Sequence, residues 1–81
     1  MPVHSPTLKH FILKHRAISL YRSAIRASIV IPDPVTRKET VAWIRAEFER
    51  SRHLTDVELI ENTLNVIRRD LKSILPGFAN K

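Results

Sequence analysis

With 81 residues, fourteen lysines and arginines against eight aspartates and glutamates, and no cysteine, the chain is one small basic domain. It has no disulfide, no thiolate metal site and no cysteine nucleophile. A formal charge of +6 calls for an acidic partner, whether nucleic acid, anionic lipid or an acidic protein. A core of this size leaves folding close to break-even once chain entropy is counted, so the isolated chain is expected to be marginal or aggregation-prone.

The first 32 residues contain no carboxylate, while Lys9, Lys14, Arg16, Arg22 and Arg26 are all basic. An acid-poor, basic, amphipathic opening is also how mitochondrial targeting segments read. The same stretch must supply a helix to the fold, so an uncleaved or very short signal is expected. Ser5 ahead of Pro6 predicts an N-cap, a first-turn proline and a helix over about residues 6–29. "IPDP", residues 31–34, stops it, because each proline disfavours helix in the residue before it. A second helix, about 35–50, opens either at Asp33 with Pro34 in its first turn or at Thr36 with Glu39 completing a capping box. Thr55 with Glu58 predicts a further capping box, with Leu54 and Leu59 placed as a hydrophobic staple, for a third helix over about 56–75 that Pro76 and Gly77 end. No alternating pattern marks a strand. The expectation is one all-α domain over 1–81: an antiparallel three-helix bundle around a long central first helix. The tail "GFANK" gives no reading.

Steps of 100° per residue assign faces. Val57, Ile60, Leu64, Ile67 and Leu71 form one stripe on the third helix, and Val41, Ile44 and Phe48 one on the second, with Trp43 pointing away. On the first helix Phe11, Leu13, Ala17, Ile18, Leu20, Tyr21, Ala24 and Ile25 cover about half the circumference, as a helix packed on two neighbours requires. Leu20 and Tyr21 stand at opposite sides of that arc. Arg22 falls one step further and, with Arg26, makes a basic patch beside the seam.

Several function classes drop out. Gly77 is the only glycine, so no loop can cradle a phosphate, and His4, His10, His15 and His53 lack metal-ligand spacing. An enzyme is therefore not expected. A DNA-reading third helix is disfavoured by its Asp56, Glu58, Glu61 and Asp70. A membrane-surface role for the first helix rests on Lys9, Arg16 and Arg26 on its polar face, but its apolar arc is better used inside the bundle. No apolar run approaches the roughly 20 residues of a membrane span, and "HFILKH" is too short for a secretory signal.

"LYR" at residues 20–22, followed in the second helix by "WIRAEFERSR" with its Arg45 and Phe48, resembles the LYR-motif family of small mitochondrial three-helix proteins. "TLKHF" from Thr7 and "DPVTRKETVAWIRAEFER" extend the resemblance over almost the whole chain. The resemblance implies a location in the mitochondrial matrix and binding to the mitochondrial acyl carrier protein. The resemblance also implies that the carrier's acyl-phosphopantetheine arm places a fatty chain between the helices, with no cofactor bound covalently. It further implies an assembly factor for respiratory complex I that meets its assembly intermediates and helps to join the NADH-oxidising module. Accessory work in mitoribosome or iron-sulfur assembly is the alternative within the family. Lys14, Arg45 and Arg52 match positions that contact the carrier's acidic helix, with Arg22 and Arg37 further members and Tyr21 beside them. Leu20, Tyr21 and Phe48 match the motif and the acyl tunnel. Burying about a dozen methylenes at roughly 0.8 kcal/mol each gives on the order of 10 kcal/mol before ordering costs, enough to complete a small core.

Overall fold

The computed structural model describes residues 7–75 and 77–78 and contains three helices: α1 (Leu8–Ser28), α2 (Pro34–Ser51) and α3 (Val57–Ile74). Lys9 lies 3.7 Å from Glu61, and Arg16 donates to Asn65 at 2.5 Å. The register of α1 and α3 therefore advances together, and α2 returns between them. That up-down-up course follows from two short connections. The chain is an all-α three-helix bundle in which α1 packs against both other helices.

The start of α1 differs from the sequence expectation. Ser5 and Pro6 lie outside the described residues, and the cap is Thr7, whose hydroxyl accepts the His10 backbone N–H at 3.3 Å. His10 Nδ1 accepts the Thr7 backbone N–H in return at 3.1 Å, so an imidazole closes the capping box where Glu or Gln is usual. The ring's other nitrogen, Nε2, lies 2.8 Å from the Thr55 carbonyl. A carbonyl only accepts, so these partners place the proton on Nε2 and leave Nδ1 free to accept. One side chain thus ties the first turn of α1 to the α2–α3 connection.

Asp33 caps α2, with Pro34 in the first turn, and the Thr36–Glu39 alternative is not used. The Asp33 carboxylate accepts the Thr36 hydroxyl at 2.5 Å and the Thr36 N–H at 3.1 Å. These bonds, the hydroxyl first, hold its pKa below the ordinary carboxylate value against a smaller opposing effect of desolvation. A lowered folded-state pKa contributes stability that is complete above the unfolded value of about 3.9 and is lost as pH falls through the folded one. Asp33→Asn keeps an acceptor without a titrating group. Its thermal midpoint should therefore fall less steeply than that of the parent between about pH 5 and pH 2; parallel acid limbs would refute this.

At α3 the predicted Thr55–Glu58 box is not formed. Asp56 is the N-cap and makes no side-chain cap bond. Thr55 instead gives its carbonyl to His10. At the other end the Leu75 N–H reaches the Leu71 carbonyl at 2.9 Å, and Pro76 lies outside the described residues.

Leu13 and Ala24 from α1, Ile44 from α2, and Leu64, Ile67, Leu71 and Leu75 at and after α3 are buried. Leu20, Tyr21, Ile25, Phe48 and Phe78 pack around them, so part of the unread tail closes the core. Trp43 corrects the facing argument: it is half-buried against this core rather than turned outward. Because α2 touches both neighbours, its buried arc is wider than one stripe and takes in Trp43 as well as Ile44 and Phe48. Phe11 and Ile18 depart the other way and are exposed. Phe11 stands on the side of α1 opposite the buried Leu13 and Ala24, while Ile18 borders a hollow that α2 and α3 leave open. Among the described residues the buried hydroxyls of Ser28 and Ser51 are satisfied locally, Ser28 donating to the Ile25 carbonyl at 2.6 Å and Ser51 to that of Phe48 at 2.9 Å.

Candidate functional site

The three helices line a half-open cavity of about 770 Å³, within the range of small-molecule pockets. Leu13, Ala17, Ile18 and Tyr21 line it from α1, Phe48 and Ser51 from α2, and Ile60 and Leu64 from α3, so most of its wall is apolar. Helical spacing explains the assembly. Leu13, Ala17 and Tyr21 recur at one-turn intervals, and the small Ala17 leaves open a volume that Leu would fill. Tyr21 and Phe48 meet edge to face across the α1–α2 seam, with centroids 5.4 Å apart and planes at 74°. Their rings brace the cavity at one side while the His10 bridge braces it at another.

Basic side chains converge at its edge. Lys14, Arg45 and Arg52 all line the cavity and all are exposed. Among the described residues Lys14 and Arg45 have no acidic partner, whereas Arg52 meets Glu49 at 3.2 Å. That pair is exposed on both sides and so is weak, leaving Arg52 open to exchange. An apolar hollow with a cationic lip suits an apolar chain that is carried on an acidic or phosphate-bearing group.

Five residues singled out from sequence, Lys14, Tyr21, Arg45, Phe48 and Arg52, therefore come together around one cavity. Three do not join them. Leu20 packs against the core cluster. Arg22 is exposed and does not line the cavity. Arg37 donates to the Ile31 carbonyl at 2.8 Å, bracing the α1–α2 turn beside a second hollow. Sequence reasoning passed over His10, Ser51 and Leu54 in the wall. Only "TLKH", with a ring nitrogen where a capping carboxylate usually stands, carried a signal for His10. No group of three His, Asp or Glu among the described residues is placed to hold a metal ion.

Comparison with known proteins places the chain in a family. The sequence profile of the family described as Complex 1 protein (LYR family) matches residues 15–73, from the cavity face of α1 to the last turns of α3. The chain is similar to LYR motif-containing protein 2 of Salmo salar, 37% identical over 60 residues that cover 74% of this chain and 67% of that protein. It is also similar to the proteins of the same name from Rattus norvegicus and Homo sapiens. These are 31% and 27% identical over 74 residues, covering 91% of this chain and 84% of each relative. No solved structure matches the chain. A profile that spans all three helices, joined to relatives that share nearly the whole chain, shows that this protein belongs to the LYR family of Complex 1 proteins.

Proposed function

We propose that the chain is a non-enzymatic accessory protein of the mitochondrial matrix that binds an acylated acyl carrier protein and serves the assembly of respiratory complex I. The observation that carries the reading is the cavity itself. Its apolar volume lies under Lys14, Arg45 and Arg52, so one site takes a fatty chain and the acidic surface that delivers it. In this reading Leu13, Ala17, Ile18, Ile60 and Leu64 contact the alkyl chain and exclude water from it. The Tyr21–Phe48 pair sets the cavity's width, and the three basic side chains bind the carrier's carboxylates. The phosphopantetheine arm would run along the lip, supplying length and a thioester-linked chain but no chemistry performed on this protein. The description of the matching family, Complex 1 protein (LYR family), supports the choice of complex I.

Purification from mitochondria under mild salt, followed by intact-mass measurement, is expected to show a carrier bearing phosphopantetheine and a medium or long acyl chain. A monomer, or nucleic acid alone, would overturn the reading. Reversing Arg45 to Glu should cost more carrier affinity than reversing Arg52, because Arg52 already has Glu49 beside it. Helicity should be intact in both variants, since both side chains are exposed. Equal losses would place the carrier on the Arg52 end of the cavity rather than centrally. For the client, cells lacking the protein should accumulate a subcomplex without the NADH-oxidising module while aconitase activity is spared. Normal complex I with depleted mitoribosomes would move the client to ribosome assembly and keep the carrier.

A further inference from the structure

Helix α1 has a second face, turned away from α3 and the cavity, whose far end at Ile29 borders the second hollow beside Pro34 and Arg37 of α2. Its first turns expose Leu8, Phe11 and Ile12 at 76%, 62% and 54%, and Ile29 and Val30 stand exposed just past its last turn. At 100° per residue these fall, with Arg22 and Arg26, in one strip opposite the buried Leu13 and Ala24. Along Leu8–Ser28 there is no carboxylate at all. Neither arginine has an acidic partner among the described residues, in contrast to Lys9 beside Glu61, or to Arg16, which is held by Asn65. The strip is about 33 Å long, taking roughly 1.5 Å per residue.

We propose that this strip docks on a lipid bilayer bearing anionic headgroups, leaving the cavity facing away from the membrane. A stable protein partner would bury about 800 Å² on each side around a continuous apolar centre. Here the apolar residues are divided between the two ends of one convex helix, with guanidinium groups between them. That division suits a bilayer surface: Leu8, Phe11 and Ile12 enter the boundary between headgroups and acyl chains, and Ile29 and Val30 do so at the other end. Arg22 and Arg26 reach lipid phosphates, and each basic residue near such a surface is worth on the order of a fivefold change in partitioning. The absence of a carboxylate on α1 removes the repulsion that would oppose this approach. Lys9 and Arg16, engaged with α3, are not part of the surface. The proposal stands apart from carrier binding, since none of the strip's residues lines the cavity.

Flotation of the full chain with phosphatidylcholine vesicles, with or without phosphatidylglycerol, tests it, because protein aggregates sink while vesicle-bound protein rises. The chain is expected to float with the anionic vesicles at low salt and not with the neutral ones. R22E/R26E should lower the floated fraction by more than tenfold, and F11S/I12S should lower it severalfold at unchanged helicity. Arg45→Glu, on the cavity lip, should still float. Failure to float, equal flotation with neutral vesicles, an unaffected R22E/R26E variant, or self-association of the chain that F11S/I12S abolishes would each overturn the proposal.

Discussion

An acyl carrier protein whose modified serine is changed to alanine is expected to bind this chain at least about a hundredfold more weakly than the acylated carrier. The protein surfaces are unchanged in that experiment, so in the proposed complex Lys14, Arg45 and Arg52 would still face the carrier's carboxylates. What disappears is burial of the alkyl chain against Leu13, Ala17, Ile18, Ile60 and Leu64. A dozen methylenes at roughly 0.8 kcal/mol exceed the approximately 3 kcal/mol that a hundredfold represents, even after most of the gain is spent on ordering the chain. The reciprocal change is Ala17→Phe, which puts a ring into the same volume from this side. It should raise the thermal midpoint of the free chain, as cavity filling does, while lowering affinity for the acylated carrier. Titration calorimetry reads both cases. Undiminished binding by the alanine carrier would leave the basic lip in place and remove the cavity from the mechanism.

Truncation of Leu64 to alanine should destabilise the protein by about 2–5 kcal/mol, as for other fully buried leucines. Leu64 is completely buried and also floors the cavity, so the substitution enlarges a hollow that already exists. Domains of this length have roughly 4–12 kcal/mol in total, so one such change removes a large fraction of that stability. Leu59→Ala on the same helix gains the same helix propensity but starts from a half-exposed position and should cost well under 1 kcal/mol. Denaturant midpoints of the two variants separate the effects. Addition of acylated carrier should raise the midpoint of Leu64→Ala by mass action if the occupied cavity is part of the core.

The helices were legible because their information is periodic. The Ile67–Leu71 stripe and the proline-rich break after Ile31 each admit one helical reading, and the cavity residues Tyr21 and Phe48 share a face with the core. Helix starts were less so, because several residues compete for each cap. Ser5 and Thr55 fit the usual patterns, yet Thr7 and Asp56 stand at the observed N-caps, and of the two openings the sequence offers for α2 the structure uses Asp33 with Pro34. At Thr7 and Thr55 a histidine 45 positions from the second threonine decides the geometry, and no local pattern contains that distance. The basic lip was legible only in part. Seven-residue spacing groups Lys14 with Tyr21 and Arg45 with Arg52, but it does not tell Arg22, turned outward, or Arg37, spent on the Ile31 carbonyl, from the side chains that converge. Trp43 and Phe11 depended on how far the neighbouring helices extend, which is a property of the assembled bundle.

The parallel pairing of α1 with α3 bears on how the cavity comes into being. Contacts between α1 and α2 cross one short turn, so that hairpin can form early and quickly. Lys9–Glu61, His10–Thr55 and Arg16–Asn65 span 45 to 52 residues and close only after the whole of α2 is in place. Until then Ile60 and Leu64 are missing from beneath Tyr21 and Phe48, and the apolar faces of α1 and α2 are open to solvent. The hollow proposed to hold an alkyl chain therefore arises at the last step of folding rather than growing with it. A ligand that binds only the finished cavity slows the reverse step most, and acylated carrier should lengthen the lifetime of the folded chain more than it speeds its formation.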